Sequence, residues 1–220
     1  MDHLGKQITF GVNYGANFEI NFERLGDAAV VWRSPLALSL HASLVAEPLS
    51  GLLGSVPAED VLTVFYDPAV LAPDVLEAEL ARRLPALRPH EVERSRTVVL
   101  PVMYDGPDLE DVARLTGLSE GEVVEVHSAS VFEVAFLGFL PGFAYLRGLP
   151  DVLKLPRRAT PRTRVEPGSV AVGGPWAGVY PLPSPGGWHL LGRTKTAMFD
   201  PARSEPILLR PGDAVRFEPC

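Results

Sequence analysis

The sequence predicts an α+β chain of two parts, a small α/β domain over residues 1–95 followed by a β-barrel domain over residues 96–220. Three observations predict it. Apolar strand-like runs alternate with amphipathic helical runs in βαβα order through the first third. From Ser128 onward, short apolar runs are separated by turns rich in proline and glycine, with 13 of the 22 prolines at or after position 141. Between the two patterns, in PALRPHEVERSR, Pro85 and Pro89 end a helix and charges replace apolar periodicity.

Each element has a local reason. DAAVVW at Asp27 to Trp32 reads as a strand, and Ser34-Pro35 suits an N-cap and first helical position before LALSLHASLVAEPL. VLTVFYD, Val61 to Asp67, is a second strand, and Pro73-Asp74 opens an amphipathic VLEAELARRL. A four-stranded sheet with both helices on one face, ferredoxin-like, closes these elements if a further strand precedes or follows them. The second part opens with the strand TVVLPVMY. A helical pair follows, with Asp108 before LEDVARLTG and Ser119-x-x-Glu122 as a capping box before VVEVH. SVFEVAFLGF, SVAVGG, HLLG, EPILL and DAVRFEP are the expected barrel strands. Pro167-Gly168 fits the corners of a type II turn, and Pro211-Gly212-Asp213 a second turn.

Composition narrows the partners. The chain carries a formal charge of −7, and residues 1–95 hold 7 basic against 13 acidic side chains while 96–220 hold 13 against 14. Nucleic acid binding needs a basic excess that is absent here. The helix pair around Gly117-Leu118-Ser119 superficially matches a helix-turn-helix, but Asp108, Glu110, Asp111, Glu120, Glu122 and Glu125 would face phosphates against Arg114 alone. The N-terminus lacks an apolar core of signal-peptide length, and no run reaches the ~20 residues that span a bilayer. The single cysteine, Cys220, excludes an internal disulfide and a cysteine-based metal cluster, so a cytoplasmic location and no metal are expected.

No phosphate loop, nucleophile elbow, H-E-x-x-H or paired-histidine spacing is present. What remains is a constellation between Phe136 and Thr194. Lys154, Arg157, Arg158, Arg162 and Arg164 fall within eleven residues that contain no acid. Guanidinium groups bind carboxylate or phosphate bidentately, so the run suits an anionic ligand, and Arg158 and Arg162 are favoured over Arg157 within the proline-framed PRRATPR. A solvated basic loop is the alternative. His127 ends the second helix, where it would serve as a general base, as a helix-terminal cation or as a satisfied buried ring. Tyr145, Tyr180 and Trp188 pair an apolar ring with a hydrogen-bonding tip, as pocket walls or as core. Ser169 and Ser184 read as turn caps, and His189 as an outward barrel position.

GFLPGFAYL, LPRRATPR, GSVAVGG, GVYPLPSPGGWHLLGRT and the closing FDP…PGDAVRF resemble the family called allophanate hydrolase subunit 1, or the B-type carboxyltransferase subunit, which includes the B-type subunit of 5-oxoprolinase and a Kip-type inhibitor of a sporulation histidine kinase. The resemblance is strong over most of residues 97–218 and looser before them. It implies a cyclophilin-like β-barrel behind the small α/β domain. It also implies shared catalysis: one part of a heteromer with a related C-type barrel protein and a separate A-type protein, together opening the lactam of 5-oxo-L-proline to L-glutamate with ATP. A lactam is a poor electrophile; phosphorylating its amide oxygen activates it toward water, and the anionic groups formed need fixed positive charge. An ATP site would belong to the assembled complex.

By the same resemblance the catalytic candidates are His127, Arg158 and Arg162, and the substrate-binding candidates are Pro141, Gly142, Phe143, Tyr145, Tyr180, Pro185, Gly186, Gly187, Trp188 and Arg193. Two further readings come with the family, a regulatory protein that inhibits a histidine kinase and half of a urea- or allophanate-type carboxyltransferase; the shortness of the chain disfavours the second. One departure stands out. Where the family usually reads A-G-x-Q-T-G-I-Y-P, this chain has Trp176 and Ala177 in place of Gln-Thr, which removes hydrogen-bonding groups that a small polar ligand would use.

Overall fold

Val30 and Trp32 on one strand and Leu62, Val64 and Tyr66 on another alternate with more exposed neighbours, and this period of two turns one face of a sheet toward two helices. The computed structural model describes residues 9–10, 20–88 and 96–220. Contacts divide the chain into two units, Met1–Glu91 and Val92–Cys220, and the boundary expected at 95/96 adjoins residues outside that description.

The first unit runs β1 (Thr9–Phe10), β2 (Ile20–Leu25), β3 (Ala29–Arg33), α1 (Ala37–Ala46), β4 (Leu52–Ala58), β5 (Val61–Tyr66) and α2 (Pro73–Arg83). Its sheet has the order β1-β2-β3-β5-β4, antiparallel throughout. The β3-α1-β4 crossover leaves a gap that β5 fills, which is the ferredoxin-like arrangement, and β2 occupies the place next to β3. The further strand thus precedes the βαβ unit. Leu40 and Leu44 of α1 and Leu76 and Leu80 of α2 pack on the sheet. Arg83 of α2 donates to the carbonyls of Ser43 and Glu47, 2.9 and 2.8 Å away, and so satisfies the open C-terminus of α1.

Two local expectations differ here. Ser34-Pro35 does not start α1: Ser34 donates its N–H to Asp60 O (2.7 Å), which holds it in the sheet margin, and the helix begins at Ala37 with Leu36 at the N-cap. Leu52–Ala58 is a strand that composition hides. It carries Gly54 and Pro57, which an edge position tolerates because one side of the ladder needs no donor.

The second unit runs β6 (Thr97–Val102), α3 (Leu109–Thr116), α4 (Glu120–Ala129), β7 (Phe132–Leu137), β8 (Ala144–Arg147), β9 (Arg162–Val165), β10 (Ser169–Gly173), β11 (Trp176–Val179), β12 (Ser184–Gly186), β13 (His189–Arg193) and β14 (Ala214–Pro219). Seven strands form the sheet β13-β10-β11-β8-β7-β14-β6, and β12 pairs with β9 in a separate ribbon. A bridge between Met103 and Arg193, with N–H to O distances of 2.9 and 2.8 Å, joins the two ends of the sheet and closes the barrel. The interior is filled by Leu100, Phe132, Val134, Leu146, Val170, Val172, Val179, Leu191, Val215 and Phe217, and by Val112 of α3 and Val123 of α4. It is a packed core rather than a channel.

The capping box at Ser119 and Glu122 forms as expected. So do both turns: Ser169 donates to Glu166 O across Pro167-Gly168 and Asp213 to Arg210 O across Pro211-Gly212, with Gly168 at φ +83° and Gly212 at φ +85°. EPILL is not a strand. It makes one isolated bridge, Phe199 to Ile207, because Pro201, Pro206 and Pro211 remove the amide donors a longer ladder needs. Ribbon β9–β12 arises inside segments the sequence reads as loops.

Candidate functional site

Strand alternation puts two different surfaces on the barrel sheet. Val170, Val172, Ala177, Val179, Ala144 and Leu146 point inward. Their neighbours Ala171, Gly178, Tyr145 and Leu190 point outward and meet Phe143, Tyr180 and Trp188 in a second apolar cluster. Phe143 is its centre, with ring centroids 5.1 Å from Tyr145, 5.3 Å from Tyr180 and 5.5 Å from Trp188, all edge-to-face.

Glycines let the indole lie against the sheet. A Cβ at Gly173 would stand 2.6 Å from Trp188, and one at Gly178 would stand 3.1 Å from Phe143. Gly186 passes so close to Tyr180 that a Cβ would lie 2.4 Å from Oη. Ribbon β9–β12 roofs the cluster, held by Arg158 N–H to Gly187 O (2.8 Å), Gly174 N–H to Leu155 O (2.7 Å) and His189 Nε2 to Pro156 O (3.0 Å).

Between roof and sheet lies a cleft of about 230 Å³ lined by Phe139, Phe143, Tyr145, Arg157, Pro161, Tyr180, Pro185, Gly186, Gly187 and Trp188. Seven of these are candidates from sequence. Phe139, Arg157 and Pro161 are additions. Phe139 forms the rim in a left-handed conformation, φ +67°, which disfavours a bulky residue by roughly 1–2 kcal/mol. Pro141 and Gly142 shape the turn beneath it rather than line the cleft; Gly142 sits at φ +82° with its α-carbon against Phe199.

Arg158 and Arg162 stand behind the roof. Both guanidinium groups bind Oδ1 of Asp108, Arg162 at 2.7 Å, and Asp108 is 1% exposed. Its Oδ2 accepts the N–H of Leu190 at 2.8 Å, so this carboxylate ties the arginine segment to β13. Asp108 occupies the N-cap of α3 but makes no side-chain cap, its oxygens being committed elsewhere. Asp111 lies 4.0 Å from Arg158. The two arginines thus share one carboxylate, and Arg158 Nε and Arg162 Nη1 are buried without a partner, whereas Arg157 faces the cleft and makes no ion pair among the described residues.

His127 is not brought to the cleft. Its ring is fully buried in the barrel interior, 4.7 Å from Phe217 and 5.1 Å from Phe132, with Nδ1 2.8 Å from Tyr104 Oη. Burial pushes its pKa down to about 3, so it is neutral at working pH. Arg193 belongs to the barrel seam: it pairs with Asp105 Oδ2 at 2.7 Å and borders a separate, wider groove with Lys195 and Cys220. Trp176 packs on Phe136 and Tyr145 from behind the cleft, and Ala177 is wholly buried in the barrel core. Neither replacement for Gln-Thr lines the cleft. Among the described residues, no group of three or more His, Cys, Asp or Glu could hold a metal ion, and no helix is long and apolar enough to cross a membrane.

The family model for the carboxyltransferase domain, subdomains C and D, matches residues 22–209, across both units. The chain belongs to this carboxyltransferase-domain family. Within it, the chain is 50% identical over 193 residues to the B-type subunit of 5-oxoprolinase from Escherichia coli, covering 86% of this chain and 84% of that one. It is 37% identical over 218 residues to the corresponding 5-oxoprolinase protein of Bacillus subtilis, covering 89% and 90%. Among solved structures, TTHA0988 superposes with a TM-score of 0.76 at 43% identity over 87% of this chain, which spans 40% of that longer protein. The α+β fold with a barrel is thus shared with that solved structure.

Proposed function

We propose that this chain is the B-type subunit of an ATP-dependent 5-oxoprolinase, which opens the lactam of 5-oxo-L-proline to L-glutamate. The observation that carries the reading is the 50% identity, over 86% of this chain and 84% of that one, to the Escherichia coli protein of that name. The aromatic cleft supports it chemically. A volume of about 230 Å³ lies below the ~300–1,000 Å³ usual for drug-sized ligands, which suits a five-membered lactam and excludes a nucleotide. In this reading ATP is bound by the assembled complex outside this cleft, and the chain is inactive without its partners.

In this reading Phe143, Tyr145, Tyr180 and Trp188 wall the ring of the substrate, while the Pro185-Gly186-Gly187 backbone closes over it. Water is excluded from the apolar side, which strengthens the polar interactions that remain. Arg158 and Arg162 are positioning residues: through Asp108 they hold the roof against β13. Arg193 positions the barrel seam, and His127 supports the core. The partners are a C-type barrel protein and an A-type protein of the same heteromer.

Reconstitution tests the proposal. The chain purified with its A-type and C-type partners is expected to release glutamate and ADP in equal amounts from 5-oxo-L-proline and ATP, and none of the three proteins is expected to do so by itself. A correctly assembled complex without turnover would reject it.

A further inference from the structure

Among the described residues, the cleft contains one charge. Its walls are aromatic rings, prolines and glycine backbone, no carboxylate lines it, and Arg157 stands among them. The neighbouring Arg158 and Arg162 do not line the cleft and share the buried Asp108. Arg157 is exposed, while the backbone on either side of it is fixed, by His189 Nε2 to Pro156 O before it and Arg158 N–H to Gly187 O after it. Its positive field reaches both Tyr145 and Tyr180, opposing the upward push that burial gives their phenols. A cation with no ion pair, held at the mouth of a small apolar slot, selects a ligand with an apolar ring at one end and an anion at the other.

We propose that Arg157 is the residue that recognises the carboxylate of the substrate, so that the cleft takes small ring carboxylates, with the ring between Tyr180 and Trp188 and the carboxylate at the guanidinium. This rests on the reading of the cleft as the lactam site. The arrangement orients the ligand: the carboxylate stays at the solvent side, and the lactam carbonyl carbon, joined through the ring nitrogen to the carbon that bears the carboxylate, lies deeper along the cleft.

Two measurements test it. In the reconstituted complex, kcat/KM for 5-oxo-L-proline is compared with that for the same five-membered lactam without the carboxylate. The wild type is expected to prefer the carboxylate, and Arg157→Met to raise KM at least tenfold with kcat changing less than threefold, so that the preference collapses toward unity. Arg157→Lys is expected to recover part of it. A KM and a preference unchanged in Arg157→Met would overturn the proposal. Direct titration of the isolated chain with 5-oxo-L-proline, read by tryptophan fluorescence, separates this from the enzymatic reading: Kd is expected to rise at least tenfold in Arg157→Met. Turnover failing while that shift appears would remove the lactamase reading and leave the carboxylate site; equal affinities, or none, would remove the site.

Discussion

Arg162 Nη2 lies 2.7 Å from Asp108 Oδ1 although 54 positions separate them, and Arg158 binds the same oxygen from 50 positions away. A carboxylate 1% exposed with two cationic partners and the Leu190 N–H is fully engaged, and removing its charge leaves Arg162 without an ion pair and Arg158 with only Asp111, 4.0 Å away. Asp108→Asn is therefore expected to destabilise the barrel unit by about 2–4 kcal/mol, with denaturant unfolding as the measurement. The same variant should loosen the roof, so turnover of the complex falls through kcat and KM together.

Trp188 rests on a surface that only glycine provides. Gly173→Ala places a Cβ 2.6 Å from the indole in ordinary strand conformation, so the ring must move. The expected outcome is a stability loss of about 1–3 kcal/mol, typical of overpacking, with a shift in tryptophan emission. An unchanged spectrum would mean that the indole does not lie on β10.

His127 makes the barrel sensitive to acid. Its folded pKa of about 3 lies below the unfolded value of about 6.5, so the native state resists a proton that the unfolded chain accepts. Its contribution is complete above pH 6.5 and is lost as pH falls from 6.5 toward 3, at about 1.4 kcal/mol per pH unit. His127→Gln keeps a partner for Tyr104 and does not titrate. Between pH 6.5 and pH 4.5 the variant should lose about 2–3 kcal/mol less stability than the wild type; equal losses would show the imidazole to be accessible.

What the sequence made legible was local. The Ser119–Glu122 capping box, the two Pro-Gly turns, Pro73 at the start of α2, and the runs that became β10, β13 and β14 each carry their signal within a few residues. Edge strand β4 and ribbon β9–β12 did not, since their pairing depends on distant partners and their glycines and prolines read as turns. The same holds for the site. The aromatic and glycine loops announced a concave surface, but the proline frame favoured Arg158 and Arg162 over Arg157, whereas Arg157 lines the cleft and the other two pair with Asp108, which is remote in sequence. For His127 a signal was present: Val123 stands one helical turn before it, and both are fully buried on the core face.

The central claim, that the outer aromatic cleft is where the substrate of the complex sits, is tested most directly at Gly187. The nearest atoms to a Cβ there are those of Pro161 at 3.7 Å and Arg158 O at 3.9 Å, ordinary van der Waals contacts, so Gly187→Leu is expected to fold while its side chain fills the cleft. The measurement is glutamate release by the complex reconstituted with this variant, alongside its melting temperature. Wild-type stability and assembly with kcat/KM lowered at least a hundredfold is the predicted result; wild-type turnover with the cleft filled would contradict the account.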